Sequence, residues 1–379
     1  MENKIREEIE NYLEYFKHYF LNLSKVKKSK IKKFLIENQI CPIKTDENGM
    51  PLDNTKNDVD TFIMESFLEN EKAILTYQKY ELFQNYKYSI FYKIEHEDIK
   101  SLIKAIKDKN DLFVNVDSKI EEFIFFKDNE ENSLNIDKNI GYHIEDDKVY
   151  FKFPIGLEKF DKTFYQIVKT KMLFLCIIDL NHKILEIRYE GLSQPFKTNQ
   201  EFYIKLGKKI INYITYELKL KLKTLDLQFV AREIEPLKNL GYKIIKREAH
   251  FSDAGSASLG SNNENMLPYI DDFKNFLKSK IKEFEDDSLE QNIAEEMGRE
   301  ILDFFNEKED ESSYVNVILE IHGYRTHFNY IDKEDIQCVV QHEYINPREE
   351  DRRGDYVRTI ILQLERQFNY IGNKEEWYS

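Results

Sequence analysis

The apolar residues of this chain change their period partway along it, and that change constrains the fold more than any other feature. Ile5, Ile9, Tyr12, Leu13, Phe16, Phe20 and Leu23 recur every three or four positions, which places them on one stripe of an amphipathic helix. A second helix is expected from Ser24, carrying Val26, Ile31, Phe34 and Leu35. A third stripe runs through Val59, Phe62, Ile63 and Phe67. From Tyr86 alternation takes over: Tyr86, Tyr88, Ile90, Tyr92 and Ile94 are separated by single residues, the period of a strand. Further strands are expected over 148–154, 171–179 and 183–190, the last two joined by a tight turn at Leu180, Asn181 and His182. A chain that reads first as helix and then as strand is expected to fold as α+β.

Beyond the strands, Thr198 with Glu201 three residues on is a capping-box pattern, expected to open a long helix to about residue 222. A helix over 228–239, stopped by Gly241, and an extended stretch over 242–251 follow. Residues 252–265, SDAGSASLGSNNEN, are small and polar and read as a linker. After them come two helices (268–285 and 288–308), strands over 314–322 and 336–345, and a final helix capped by Asp355. At 379 residues the chain exceeds one ordinary core. The expected organisation is a mainly helical region over 1–135 and a basic central domain over 136–252, holding the β-hairpin and the long helix. A linker over 253–266 then leads to an acidic helix-helix-β-β-helix domain over 267–379.

Charge divides the chain more sharply than hydropathy does. Residues 151–250 hold 19 basic and 11 acidic side chains, net +8, inside a protein of net charge −14. Residues 251–310 hold 6 basic and 16 acidic, net −10. Such asymmetry fits a polyanion partner for the basic block or internal pairing with the acidic block, which is also the segment through which a basic protein partner would bind. Only 11 of 56 cations are Arg, which suits an AT-rich, bacterial genome. Three separated cysteines, Cys41, Cys176 and Cys338, oppose a disulfide framework or a cysteine zinc site. The longest apolar run, from Met172 to Ile178, is seven residues, far short of the ~20 that span a bilayer. A cytoplasmic protein without a membrane partner is therefore expected.

Three groups of residues carry candidate chemistry. Lys205, Lys208, Lys209, Lys219 and Lys223 share one face of the long expected helix, about 27 Å long at 1.5 Å per residue, a stripe able to follow a phosphate backbone. KVKKSKIKK at 25–33 reads as a solvated face of the second helix. In the hairpin, Asp179, Glu186 and Arg188 imitate the carboxylate pair and cation that hold Mg²⁺ in restriction-type nucleases. Arg in place of Lys and the short Asp–Glu spacing weaken that pattern. At the C-terminal end, Glu320, His322 and Glu343 converge as metal ligands if strands 314–322 and 336–345 pair antiparallel. Seven of the eleven arginines lie within 299–366.

No GxxxxGK[ST], GxGxxG or GxSxG pattern is present, which disfavours P-loop, dinucleotide and α/β-hydrolase chemistry. The leading expectation is a non-enzymatic nucleic-acid-binding protein without a cofactor, in a genome-maintenance or phage-defence setting. The alternatives are a phosphodiesterase using Mg²⁺ or another divalent metal, and a protein–protein adaptor.

Overall fold

A computed structural model describes residues 2–40, 58–95, 99–125, 136, 139–162, 165–225, 227–232, 237, 241–251, 255–260, 279, 298–301, 313–321, 324–333, 336–343, 358 and 361–362. The chain divides into two compact units, Met1–Leu225 with Asn346–Ser379, and Asp226–Ile345. Both contain helix and strand, so the α+β class holds. Among the described residues no helix is long and apolar enough to cross a membrane.

The first unit opens with four helices, α1 (Glu2–Leu21), α2 (Lys25–Glu37), α3 (Val59–Glu69) and α4 (Glu71–Tyr80). The stripe that predicted α1 is its buried face: Tyr12, Leu13, Phe16 and Phe20 join Phe62, Phe67 and Tyr77 in one aromatic core. Each later helix starts on a side-chain cap. Ser24 accepts from the Lys27 amide at 3.2 Å, Asp58 from Thr61 at 3.1 Å and Asn70 from Lys72 at 2.9 Å. These caps satisfy amide donors that a helix start leaves unpaired.

Next come β1 (Tyr88–Ile94), α5 (Ile99–Asp108), β2 (Phe113–Asn115), β3 (Ile140–Glu145), β4 (Lys148–Asp161), β5 (Gln166–Asp179), β6 (Ile184–Tyr189), α6 (Gln200–Leu218) and β7 (Leu222–Thr224). The sheet order is β2-β3-β4-β5-β6-β1, with β7 on the outer side of β1. All of these pairs are antiparallel except β2 with β3. Strands β4 and β5 are each 14 residues long and pair over their whole length, well past the expected 148–154 and 171–179.

Register decides what each sheet face carries. Phe151, Phe153, Phe174, Cys176, Ile187, Tyr189 and Ile90 fall on one face by strand alternation. There Tyr203 of α6 stacks on Tyr189, and Tyr213 meets Phe153 edge-on. The opposite face carries Lys152, Lys171, Asp179, Glu186, Arg188 and Ser89, all buried. One face of the sheet is thus an ordinary apolar core and the other holds buried charge.

Helix α6 differs from its expected form at both ends. Asn199, not Thr198, is the cap and accepts from the Phe202 amide at 3.1 Å. The helix stops at Leu218, because Lys219 turns left-handed (φ 53°) and the chain enters β7.

The second unit contains α7 (Phe229–Arg232), β8 (Lys243–Phe251), β9 (Gly255–Gly260), β10 (Ser313–Ile321), β11 (Tyr324–Lys333) and β12 (Ile336–Glu343). Its strands run β12-β11-β10-β8-β9, antiparallel throughout. Residues 255–260, inside the stretch read as a linker, pair with β8 from Gly255↔Phe251 to Gly260↔Lys246. Backbone hydrogen bonds need no side-chain signature, so a glycine- and serine-rich strand stays silent in the sequence. The helices expected over 268–285 and 288–308 lie outside the described residues, apart from helical positions 279 and 298–301. The stretch led by Asp355 does too, apart from Arg358, Ile361 and Leu362, which are helical and buried.

Candidate functional site

The five lysines expected on one helix face lie on three kinds of backbone. Lys205, Lys208 and Lys209 belong to α6, Lys219 is its left-handed cap, and Lys223 lies on β7. On α6, exposed Lys205 faces Glu201 at 3.7 Å, while Lys208 and Lys209 are half-buried and each engaged in a further contact. The stripe therefore breaks where the helix ends.

Lys219 and Lys223 instead join a different group. Strand β7 sets Lys223 directly across from Lys93 of β1, and the Glu95 amide donates to the Lys221 carbonyl at 2.8 Å. The Ile94 amide donates to the Lys183 carbonyl at 2.7 Å, so the β5–β6 turn ends at the same place. Lys93, Lys183, Lys219, Lys221 and Lys223, all exposed, gather at one end of the sheet, where Lys93 is engaged in a further contact. Among the described residues the acidic side chains there are Glu95 and the exposed Asp146 and Asp147 of the β3–β4 turn; Asp147 Oδ2 accepts from Asn181 Nδ2, on the same turn as Lys183, at 2.6 Å. Lys183 and Lys219 both hold left-handed backbone, φ 54° and 53°, a conformation that costs roughly 1–2 kcal/mol for a residue with a Cβ.

Asp179, Glu186 and Arg188 do come together on the charged face. Arg188 forks onto Glu186, with Nε 2.7 Å from Oε1 and Nη2 2.9 Å from Oε2, and Ser89 Oγ donates to Oε1 at 2.9 Å. A fourth member arrives from the C-terminal end. Arg358 donates from Nη1 to Glu186 Oε2 at 3.2 Å, and its Nε lies 3.7 Å from Asp179 Oδ2. Asp179 Oδ1 in turn accepts from the His182 amide at 3.0 Å and lies 2.9 Å from His182 Nδ1, bracing the turn. All four charged groups are at most 3% exposed. Two carboxylates balanced by two guanidiniums make a closed ion cluster, without a carboxylate edge turned toward solvent.

A second buried cluster lies farther along the same face and was not singled out in the sequence. Lys152 Nζ is 2.6 Å from both Glu81 Oε2 and Glu121 Oε2. Lys171 Nζ is 2.9 Å from Glu81 Oε2 and also contacts Glu121 Oε1. Glu121 is brought here by a segment that bridges to β4 at Ile124↔Ile155. Gly156 lies at that crossing, where a Cβ would come within 2.6 Å of Phe125 Cε1 and 3.1 Å of Phe123 Cβ. Burial pushes the Glu121 carboxyl up, but the two lysines outweigh it and hold it below the ordinary range. Burial likewise opposes the charge on Lys171, yet Glu121 and Glu81 raise its pKa. A lowered carboxyl pKa contributes stability that is complete above the unfolded value and is lost as pH falls through the folded one. Acid titration of unfolding should therefore show less loss of stability below the ordinary carboxylate range in Glu121→Gln than in the parent; identical profiles would contradict this.

In the second unit, β11 separates the strands that carry Glu320 and Glu343. The expectation that β10 and β12 pair directly missed it. Glu320 faces Arg325, which in turn faces Glu343, so a guanidinium occupies the row between the two carboxylates. Arg325 Nε donates to Glu320 Oε2 at 2.8 Å, and His327 Nε2 lies 2.9 Å from Glu343 Oε1. His322 lies outside the described residues. Among the described residues no group of three potential metal ligands converges. Glu343→Ala should lower stability by no more than about 1 kcal/mol, the range of exposed ion pairs, with the same loss in chelator and in Mg²⁺. A melting point of the parent that rises with Mg²⁺, together with a larger loss on Glu343→Ala in Mg²⁺ than in chelator, would restore the metal reading.

No protein-family model matches the chain, and no curated protein sequence matches it.

Proposed function

We propose that the chain binds nucleic acid, largely without regard to sequence, through the lysine cluster at the end of the first unit's sheet. The observation that carries this reading is the gathering of Lys93, Lys183, Lys219, Lys221 and Lys223 from three separate chain segments. In a protein of net charge −14, these five lysines outnumber the described acidic side chains of that sheet end, Glu95, Asp146 and Asp147, and a local excess of positive charge attracts a polyanion. Lysines act as point charges on phosphates and read no base edges, hence the indifference to sequence. Left-handed backbone at Lys183 and Lys219 supports the same reading, because Asn or Gly suits those positions better. A genome-maintenance or phage-defence setting would use contacts of this kind.

The carboxylates of the phosphodiesterase alternative are matched by Arg188, Arg358 and Arg325, which favours binding over catalysis. The acidic stretch invoked for an adaptor role lies largely outside the described residues.

The test separates stability from binding. A double variant, Lys183→Asn with Lys219→Asn, should melt no lower than the parent, since Asn tolerates left-handed backbone. It should nonetheless bind a random-sequence DNA duplex more weakly. Unchanged affinity would count against the cluster; a lower melting point would show that the two lysines serve the fold instead.

A further inference from the structure

Among the described residues seven large apolar or aromatic side chains are more than half exposed, and four of them, Phe125, Phe160, Tyr165 and Ile167, gather at one end of the first unit. The β4–β5 ribbon carries them there. Past Gly156 on β4 and before Phe174 on β5, no further strand pairs with either one among the described residues. Leu157–Asp161 and Gln166–Thr170 therefore run on as a two-stranded arm. Phe160 sits directly across from Ile167, and the Phe160 and Tyr165 rings meet edge-on with centroids 6.4 Å apart. Two rows back on the same face, Phe125 lies over Gly156. The row between is held by α1: Tyr15 Oη donates to Glu158 Oε1 at 2.5 Å, and Lys169 Nζ lies 3.0 Å from Glu14 Oε1.

The size of this patch matches that of a dimer contact. A side chain of this kind exposes about 200 Å² in full, so at 53–83% exposure the four leave about 500 Å² uncovered. A homodimer interface takes about 800 Å² from each partner, roughly 65% of it apolar, hence about 500 Å² again. Charge points to the same occupant. The arm carries Lys159, Lys162 and Lys169 with Glu158 and Asp161, and Glu14 joins them from α1, three of each sign. A balanced rim has no net pull on a polyanion or an anionic membrane. Across a two-fold axis, however, each copy can set its cations against the other's anions.

We propose that this face of the arm is the interface of a homodimer, in which a second copy covers Phe125, Phe160, Tyr165 and Ile167 with the same four residues. It stands apart from the nucleic-acid reading, whose lysines lie at the other end of β5, past Asp179. Sedimentation equilibrium of the full chain tests it. The parent should be dimeric at about 100 µM, since interfaces of this size hold at micromolar concentration or below. Ile167→Glu and, separately, Tyr165→Ser should each weaken the dimer about tenfold or more, because a two-fold interface meets every substitution twice. Leu68→Glu, at an exposed position on α3, should leave it unchanged. All three variants should keep the parent's circular dichroism and a cooperative melt, which separates lost association from lost folding. A parent monomeric at that concentration, a dimer that either arm variant leaves intact, or one that Leu68→Glu weakens equally would each overturn the proposal. A monomeric parent that floats with phosphatidylcholine vesicles would overturn it in favour of a lipid surface.

Discussion

Arg188→Met should lower the stability of the protein by about 3–5 kcal/mol, the usual loss when one partner of a buried ion pair is removed. The size follows from the partners that remain. Glu186 would keep Ser89 and Arg358 but lose both short guanidinium bonds, at 2.7 and 2.9 Å, while staying almost fully buried. A carboxylate in that position either carries an unbalanced charge or takes up a proton, and both lower stability. The double variant Arg188→Met with Glu186→Gln removes charge from both sides and should recover part of the loss. A double-mutant cycle therefore gives a coupling energy well above that of an exposed pair. The same cycle bears on the hydrolytic alternative. Catalytic carboxylates can be neutralised at little expense to the fold, so a Glu186→Gln protein as stable as the parent, with no coupling to Arg188, would contradict the closed ion cluster.

The parts of this architecture that were legible in sequence were those written in side-chain periodicity. Helix α1 and strand β1 follow from apolar spacing, as does the β5–β6 hairpin, and the start of α2 at Ser24 follows from a residue type that caps helices. Strand β11 has the same kind of signal, with Thr326, Phe328 and Tyr330 alternating, but charged and polar neighbours masked it. Missing it also misplaced Glu320 and Glu343, since an intervening strand moves the two carboxylates one row apart. The lysine stripe failed for a different reason. Helical geometry was extended through Lys219 and Lys223, yet a single left-handed residue ends the helix and sends the chain into β7. That change of direction brought these lysines to Lys93 and Lys183, which no one-dimensional pattern links. The cluster of Glu81, Glu121, Lys152 and Lys171 spans about ninety residues of sequence. Its faint signal was a lysine within or beside the apolar runs of β4 and β5, as in Val-Tyr-Phe-Lys-Phe and Lys-Met-Leu-Phe-Leu.

The salt dependence of DNA binding tests the central claim most directly. Each lysine–phosphate contact releases counterions, so the slope of log affinity against log salt measures how many lysines contact phosphates, at about 0.9 per contact on duplex DNA. Lys183, Lys221 and Lys223 come from the β5–β6 turn, the approach to β7 and β7 itself. Replacing all three with Gln should flatten the slope by about three units. The matched triple on α6, Lys205, Lys208 and Lys209 to Gln, should change it much less, because Lys205 faces Glu201 and Lys208 and Lys209 are half-buried and each engaged in a further contact. A sheet-end triple variant with the parent's slope and affinity would contradict the account, as would a larger change in the α6 variant.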